Sequence, residues 1–154
     1  MINYLIGSAV YPKVPGNKVI AHVCNDVGAW GSGFVVSISK RWKDPAADYK
    51  KWFYSGEPFE LGKVQIVETE EDCFVANMIG QYKLRSLKNL VPLKYDALEN
   101  CLNTVAEFAI KNNASVHMPR IGCGRAGGDW DKVERIIEKT LCDRNIVVYV
   151  YDIH

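Results

Sequence analysis

Histidine is scarce in this chain, at three residues in 154, and the five cysteines, Cys24, Cys73, Cys101, Cys123 and Cys142, form no close pairs. No histidine stands at ligand spacing from them. That pattern argues against both a zinc site and a disulfide framework, and no metal or cofactor is expected. Long apolar runs are missing as well: nothing approaches the ~20 residues of a membrane span. The opening residues Met1-Ile2-Asn3-Tyr4-Leu5 carry neither the basic segment nor the small-residue cleavage site of a signal peptide, so a cytoplasmic protein without membrane contact is expected. Charge of one sign is also absent. The 19 basic and 18 acidic residues leave a formal charge of +1, with no block suited to neutralising a phosphate polymer. No internal repeat or low-complexity segment interrupts the chain.

What is present is an alternation of two periodicities. Tyr4–Ile6, Val19–Val23, Lys63–Val67, Phe74–Met78, Ser115–Met118 and Val147–Tyr151 read as short strands, most of them β-branched and nearly continuous in hydrophobicity. Strands of that kind are buried on both faces by helices. Four helical patterns lie between them. The first runs from Gly33 to Trp42, and the second opens at Pro45 and reaches about Tyr54. The third shows Ala97, Leu98, Cys101, Leu102, Val105, Phe108 and Ala109 at three- and four-residue steps, which makes one apolar stripe. The fourth starts at the N-cap candidate Asp129 and continues through Val133, Ile136, Ile137 and Leu141. The order predicts an α/β fold, a three-layer α/β/α sandwich with a mixed central sheet. With 48% hydrophobic residues, residues 1–154 are expected to form one domain and a monomer. Tyr82 to Pro92 has no assignment, and its Lys83, Arg85 and Lys88 suggest a mobile, basic rim loop.

Two glycine-rich loops follow strands and precede helices: Asn25-Asp26-Val27-Gly28-Ala29-Trp30-Gly31-Ser32-Gly33 and Gly122-Cys123-Gly124-Arg125-Ala126-Gly127-Gly128. Such junctions gather free backbone N–H groups and a positive dipole end around an anion, and two of them suggest a clamp on a diphosphate. Neither loop has the dinucleotide-binding spacing or ends in the Gly-Lys-Ser/Thr of a Walker A loop, so NTP hydrolysis and ordinary nicotinamide redox chemistry lose ground. Cys123 sits inside the second loop, where a nucleophile and a small residue fitting a tight turn are the two readings.

With Met118-Pro119-Arg120-Ile121-Gly122-Cys123-Gly124 and Ala21-His22-Val23-Cys24-Asn25 added to these loops, the chain resembles a macrodomain from Gly7 to Tyr151-Asp152. It is most similar to the compact branch that includes ADP-ribose 1″-phosphate phosphatases and ADP-ribosyl-ester or DNA ADP-ribose hydrolases. The resemblance implies an ADP-ribose cleft at the carboxyl ends of the strands. Asn25 and Gly28 to Gly33, with Trp30, Gly31 and Ser32 among them, would hold the distal ribose and part of the diphosphate. Gly122, Cys123, Gly124, Arg125, Ala126 and Gly127 would wrap it from the other side. Gly7 precedes Ser8 where family members commonly carry an adenine-binding aspartate, and Tyr151 matches a position that covers the adenine face.

The branch divides on chemistry. Members that form a lysine adduct carry a lysine where this chain has Gly80-Gln81, and some carry an aspartate where it has Ala126, so that mechanism looks absent. The phosphatase-like members share His22-x-x-Asn25 and Trp30-Gly31-x-Gly33. On that pattern His22 is the acid/base candidate, Asn25 orients the ribose and Asp26 aligns water. The competing reading of His22 is a buried histidine bonded within the fold; His117 is expected to be structural and His154 terminal. Three functions stay open: hydrolysis of ADP-ribose 1″-phosphate or a related derivative, a non-catalytic ADP-ribose reader, and a retargeted pocket. The ligand expected is ADP-ribose or a derivative, with an ADP-ribosylated protein or nucleic acid as a further partner.

Overall fold

The computed structural model describes residues 1–153; the position expected for His154 lies outside them. Its elements run β1 (Ile2–Ile6), β2 (Asn17–Asn25), α1 (Phe34–Arg41), α2 (Asp44–Tyr54), β3 (Val64–Glu70), β4 (Cys73–Gln81), α3 (Tyr95–Lys111), β5 (Ala114–Met118), α4 (Trp130–Thr140) and β6 (Val148–Asp152). One sheet takes the order β1-β6-β5-β2-β4-β3. All neighbours are parallel except β3, which returns antiparallel to β4, so the sheet is mixed as the sequence predicts.

The side-chain period of two along β2 builds both layers of core. Val19 and Ala21 point to one face, where they join Ala76 and Met78 of β4 and the stripe of α3 formed by Leu98, Leu102 and Val105. Val133 and Ile137 of α4 close the same cluster. Ile20 points the other way and packs with Val75, Ile38 of α1 and Val10. The edge strand β1 departs from the buried pattern: Tyr4, Leu5 and Ile6 are exposed, although α4 reaches it through the Trp130 ring edge-on to Tyr4.

Helix ends differ in a way that matters for the site. Asp129 caps α4, its Oδ1 accepting from Asp131 N–H at 2.9 Å. α1 begins after Gly33, at φ +83°, with no side-chain cap and no acidic residue in its first turn. The helical stripe of α4 stops earlier than the apolar pattern suggests. Cys142 belongs to a separate 3₁₀ turn, Cys142–Arg144, which ends at Asn145 in the left-handed region. Removing the α4 cap with Asp129→Ala is expected to cost about 1 kcal/mol of stability, read from urea denaturation.

Candidate functional site

Three cavities lie at the carboxyl ends of the strands, the usual place for ligands in open α/β sheets. The first, about 350 Å³, sits beyond β1 and β6 and is lined by Leu5, Ile6, Gly7, Ser8, Tyr11, Lys13, Val14 and Tyr151. The second, about 230 Å³, lies between the second glycine loop and the start of α1. The third, about 300 Å³, lies between the first glycine loop and the end of β4. Val23, Ser32, Val35, Gln81 and Arg125 line both the second and the third, so these two form one continuous cleft.

Gly7, Ser8 and Tyr151 line the first cavity together. The Ser8 hydroxyl accepts from Val10 N–H at 3.4 Å. The Tyr151 hydroxyl meets Nδ1 of His117 at 2.8 Å, and Ser115 Oγ lies 2.7 Å from the other ring nitrogen. His117 is fully buried and stacked on Tyr149, and burial pushes its pKa down to about 4. It is structural, and what it orients is Tyr151.

The two loops reach the cleft unequally. Trp30, Gly31, Ser32, Gly33, Gly122, Gly124, Arg125 and Ala126 line it. Gly28, Cys123 and Gly127 do not; they shape the loops instead. A Cβ on Gly28 would fall 2.5 Å from Phe53, and Gly28 is itself at φ +75°. Gly127, at φ +72°, packs against the Leu90 carbonyl, where a Cβ would approach to 2.6 Å. The Cys123 thiol is pushed up to about 11, chiefly by burial, which makes it a poor nucleophile at neutral pH.

Gly31 and Gly124 are different. Neither has positive φ, and a Cβ at either position meets nothing within 4 Å. The fold does not require glycine there; open cleft faces both.

Of the three expected catalytic residues, His22 and Asn25 are buried and Asp26 is half-buried. His22 is 1% exposed and lies under the floor of the second cavity. Its Nε2 donates to Asn77 Oδ1 at 2.5 Å, and Trp30 meets the ring edge-on at 5.3 Å. Desolvation pushes its pKa down to about 4, so the ring is neutral and shut away from a substrate proton. Its burial and its bond to Asn77 favour the second of the two readings, a histidine bonded within the fold. Asp26 is not in the cleft; its Oδ1 accepts from Lys83 N–H at 2.7 Å. Asn25 lines the cleft, yet its Oδ1 accepts from Val27 N–H and Ala29 N–H, both at 3.1 Å, and its Nδ2 donates to Ala29 O at 2.7 Å.

The sequence profile of the Macro domain matches residues 21–137. This chain belongs to the macro domain family. Over 97% of its length it is 32% identical to the mouse Chromodomain-helicase-DNA-binding protein 1-like, of which it spans only 17%. The solved structure of a macrodomain protein from Streptomyces coelicolor is 46% identical with a TM-score of 0.89, over 99% of each chain. An ADP-ribose 1″-phosphate phosphatase from Lodderomyces elongisporus is 22% identical over 98% of this chain and 99% of that protein.

Several residues of this macro domain's site carry no sequence signal. Tyr49, fully buried on α2, donates its hydroxyl to Asn25 O at 2.6 Å and stands 2.9 Å from Asn25 Oδ1. It reads in sequence as one more helix aromatic. Tyr11, Lys13 and Val14 close the first cavity from an irregular segment. Arg120 lines the second cavity and forms a bidentate pair with Asp152 at 2.6 and 3.0 Å. Leu84 and Arg85 of the unassigned loop line the third cavity. That loop, expected to be mobile, is tied down. Asn89 Nδ2 donates to the Tyr82 and Leu84 carbonyls at 2.8 and 3.1 Å, and Gln81 Nε2 donates to Lys83 O at 2.9 Å.

Two outcomes follow from this geometry. Tyr49→Phe removes the brace on Asn25 and is expected to weaken ligand binding several-fold while the far-ultraviolet circular dichroism spectrum stays unchanged. His22 and His117 both have pKa values lowered to about 4 from an ordinary 6.5, so the unfolded chain binds more protons across that interval. Their contribution is complete above pH 6.5 and is lost as pH falls toward 4, with a slope of about 2.7 kcal/mol per pH unit for the two together. Urea denaturation at pH 7, 6 and 5 checks this, and His22→Gln should remove about half of the slope.

Proposed function

We propose that this macro domain binds ADP-ribose along the three cavities. The adenosine end lies in the cavity of Gly7, Ser8 and Tyr151, the diphosphate between the two glycine loops, and the distal ribose beside Asn25, Trp30 and Gln81. The observation that carries this reading is the pair Gly31 and Gly124, glycines that the backbone does not need and that face open space across the cleft. Their use is to let main-chain N–H groups approach an anion without a Cβ between them. The uncapped start of α1 adds a positive dipole end at the same place, since Gly33, Phe34 and Val35 line the second cavity.

Recognition is favoured over turnover because the cleft offers no free acid or base. Among the described residues that line the second and third cavities there is no lysine, aspartate or glutamate, and the one histidine is neutral and enclosed. A lysine adduct has no candidate at Gln81. A second reading, hydrolysis of ADP-ribose 1″-phosphate, draws support from the full-length likeness to a phosphatase of that name. It also draws on Gln81, whose Nε2 is taken by the Lys83 carbonyl while its side chain lines both cavities, leaving Oε1 to position a water. On that reading turnover depends on Gln81 rather than on His22. An ADP-ribosylated protein or nucleic acid also fits, because the distal end opens beside the exposed loop 82–92.

Calorimetric titration with ADP-ribose should give one site. Gly31→Glu and Gly124→Glu should each fold, with circular dichroism unchanged, and lose binding by at least about 100-fold, because bulk and charge then occupy the phosphate path. Retained binding in both variants would sink the two-loop clamp. Phosphate release from ADP-ribose 1″-phosphate by the same sample decides the second reading.

A further inference from the structure

We infer that the free edge of β1 is an interface at which two copies of this chain pair as antiparallel strands about a two-fold axis through Tyr4. β1 pairs only with β6 and ends one side of the sheet. Just past it, the Gly7 N–H donates to the Asp152 carbonyl at 2.9 Å. Backbone groups alternate sides along a strand, so Asn3 and Leu5 face β6 as Gly7 does, while Ile2, Tyr4 and Ile6 turn their N–H and C=O groups outward. Among the described residues, no backbone group outside the sheet ladder bonds to these three.

The two edges of the sheet are built differently. At the far edge, β3 exposes Glu68 and Glu70, and its register with β4 shifts between them. Gln65 of β3 also donates to the Asp48 carbonyl of α2 at 3.0 Å. Charge, irregular register and a covering helix are the usual guards against a further strand. β1 lacks the first two. Residues Ile2 to Ile6 include no charged side chain, and their register with Val148 to Asp152 runs without a shift. The exposed Tyr4, Leu5 and Ile6 add apolar surface beside the unpaired backbone. An unguarded edge of this kind is a template for another strand.

The occupant that this strand fits is a second β1. In an antiparallel pair centred on Tyr4, Tyr4 faces Tyr4, Ile2 faces Ile6 and Asn3 faces Leu5 of the second copy. Each outward-turned residue then meets another, which is the requirement of the hydrogen-bonded pairs in an antiparallel ladder. A register moved by one residue would set outward groups against groups already spent on β6, and one moved by two would leave part of the edge unpaired. Ile–Ile and Tyr–Tyr neighbours result, and no like charges are opposed. The same two-fold carries the Met1 end, where Glu138 of α4 lies, toward the end of the second copy where Lys13 borders Leu5 and Ile6. Unlike charges therefore approach at both margins, a complementarity that a parallel pairing would not give. Five residues a side make a seam well below the roughly 800 Å² per partner of stable complexes, so the association is weak and depends on concentration.

The test is sedimentation equilibrium of the chain from about 10 μM to about 1 mM, the span of weak association, joined to amide hydrogen exchange read residue by residue. The mass is expected to rise from one copy toward two. Over the same span the Tyr4 and Ile6 amides should gain protection, while the Leu5 and Gly7 amides, already turned to β6, stay unchanged. Tyr4→Lys and Tyr4→Glu should each weaken association several-fold by opposing like charges at the axis, and an equimolar mixture of the two should restore it. Tyr4→Phe, which keeps the ring, should still associate. A mass of one copy throughout overturns the inference and leaves the edge to a strand of another protein. A dimer whose Tyr4 amide stays unprotected overturns it too, since the seam then lies elsewhere. Should a charged variant fail to fold by circular dichroism, the exchange pattern of the unaltered protein decides alone. No ligand enters these measurements, so their outcome is independent of the proposed function.

Discussion

The carboxamide of Asn25 is the point from which the first glycine loop hangs. It accepts from two backbone N–H groups, donates to the Ala29 carbonyl, and lies within reach of the Tyr49 hydroxyl. A loop that turns away from a sheet leaves backbone groups without ladder partners, and those groups must be satisfied locally or by water. Asn25 satisfies three of them at once. With that done, the chain is free to point Trp30, Gly31 and Ser32 along the cleft and to start α1 at Gly33. Phe53 beneath Gly28 and Tyr49 beneath Asn25 both come from α2, so a helix with no residue in the two-loop cleft sets the height of its floor.

The two buried histidines, His22 on β2 and His117 on the neighbouring β5, solve a related problem. His22 spends its proton on Asn77, which in turn donates to the Pro45 carbonyl and to Gln65. His117 links Ser115 to the Tyr151 hydroxyl. In each case a neutral imidazole carries a hydrogen bond from a strand interior to an element that borders a cavity. Satisfied polar links of this kind fix orientation within an otherwise apolar core, where an unpaired group would be costly.

The architecture was legible in the sequence because period and hydrophobicity agree along nearly every element. The α3 stripe and the Asp129 cap are examples, and β1 reads correctly as a strand even though its place at the sheet edge is something no local pattern reveals. The structure sets Gly31 and Gly124 on the cleft, and their loops were legible as strand-to-helix junctions. Division of labour among the glycines was not: Gly28 needs Phe53, and Gly127 needs the Leu90 carbonyl, both remote in sequence. The enclosure of His22 was hidden for the same reason. Its strand position is plain, but its enclosure depends on Asn77 from β4 and Trp30 from the following loop. Arg85 gave only a charge, and its place in the cavity comes from bridges that close the loop 82–92 on itself.

The Arg120–Asp152 pair joins a residue that lines the second cavity to the residue that follows Tyr151 of the first, flanked by the rings of Tyr4 and Trp130. The first cavity and the continuous cleft share no lining residue and so form two compartments. A molecule that occupies both must be two-headed, with a linker long enough to join them. Its halves then behave as tethered ligands, each raising the effective concentration of the other. Under that arrangement the compartment proposed for adenine could make do with the hydroxyl of Ser8, because weak purchase at one head is multiplied by the grip on the other.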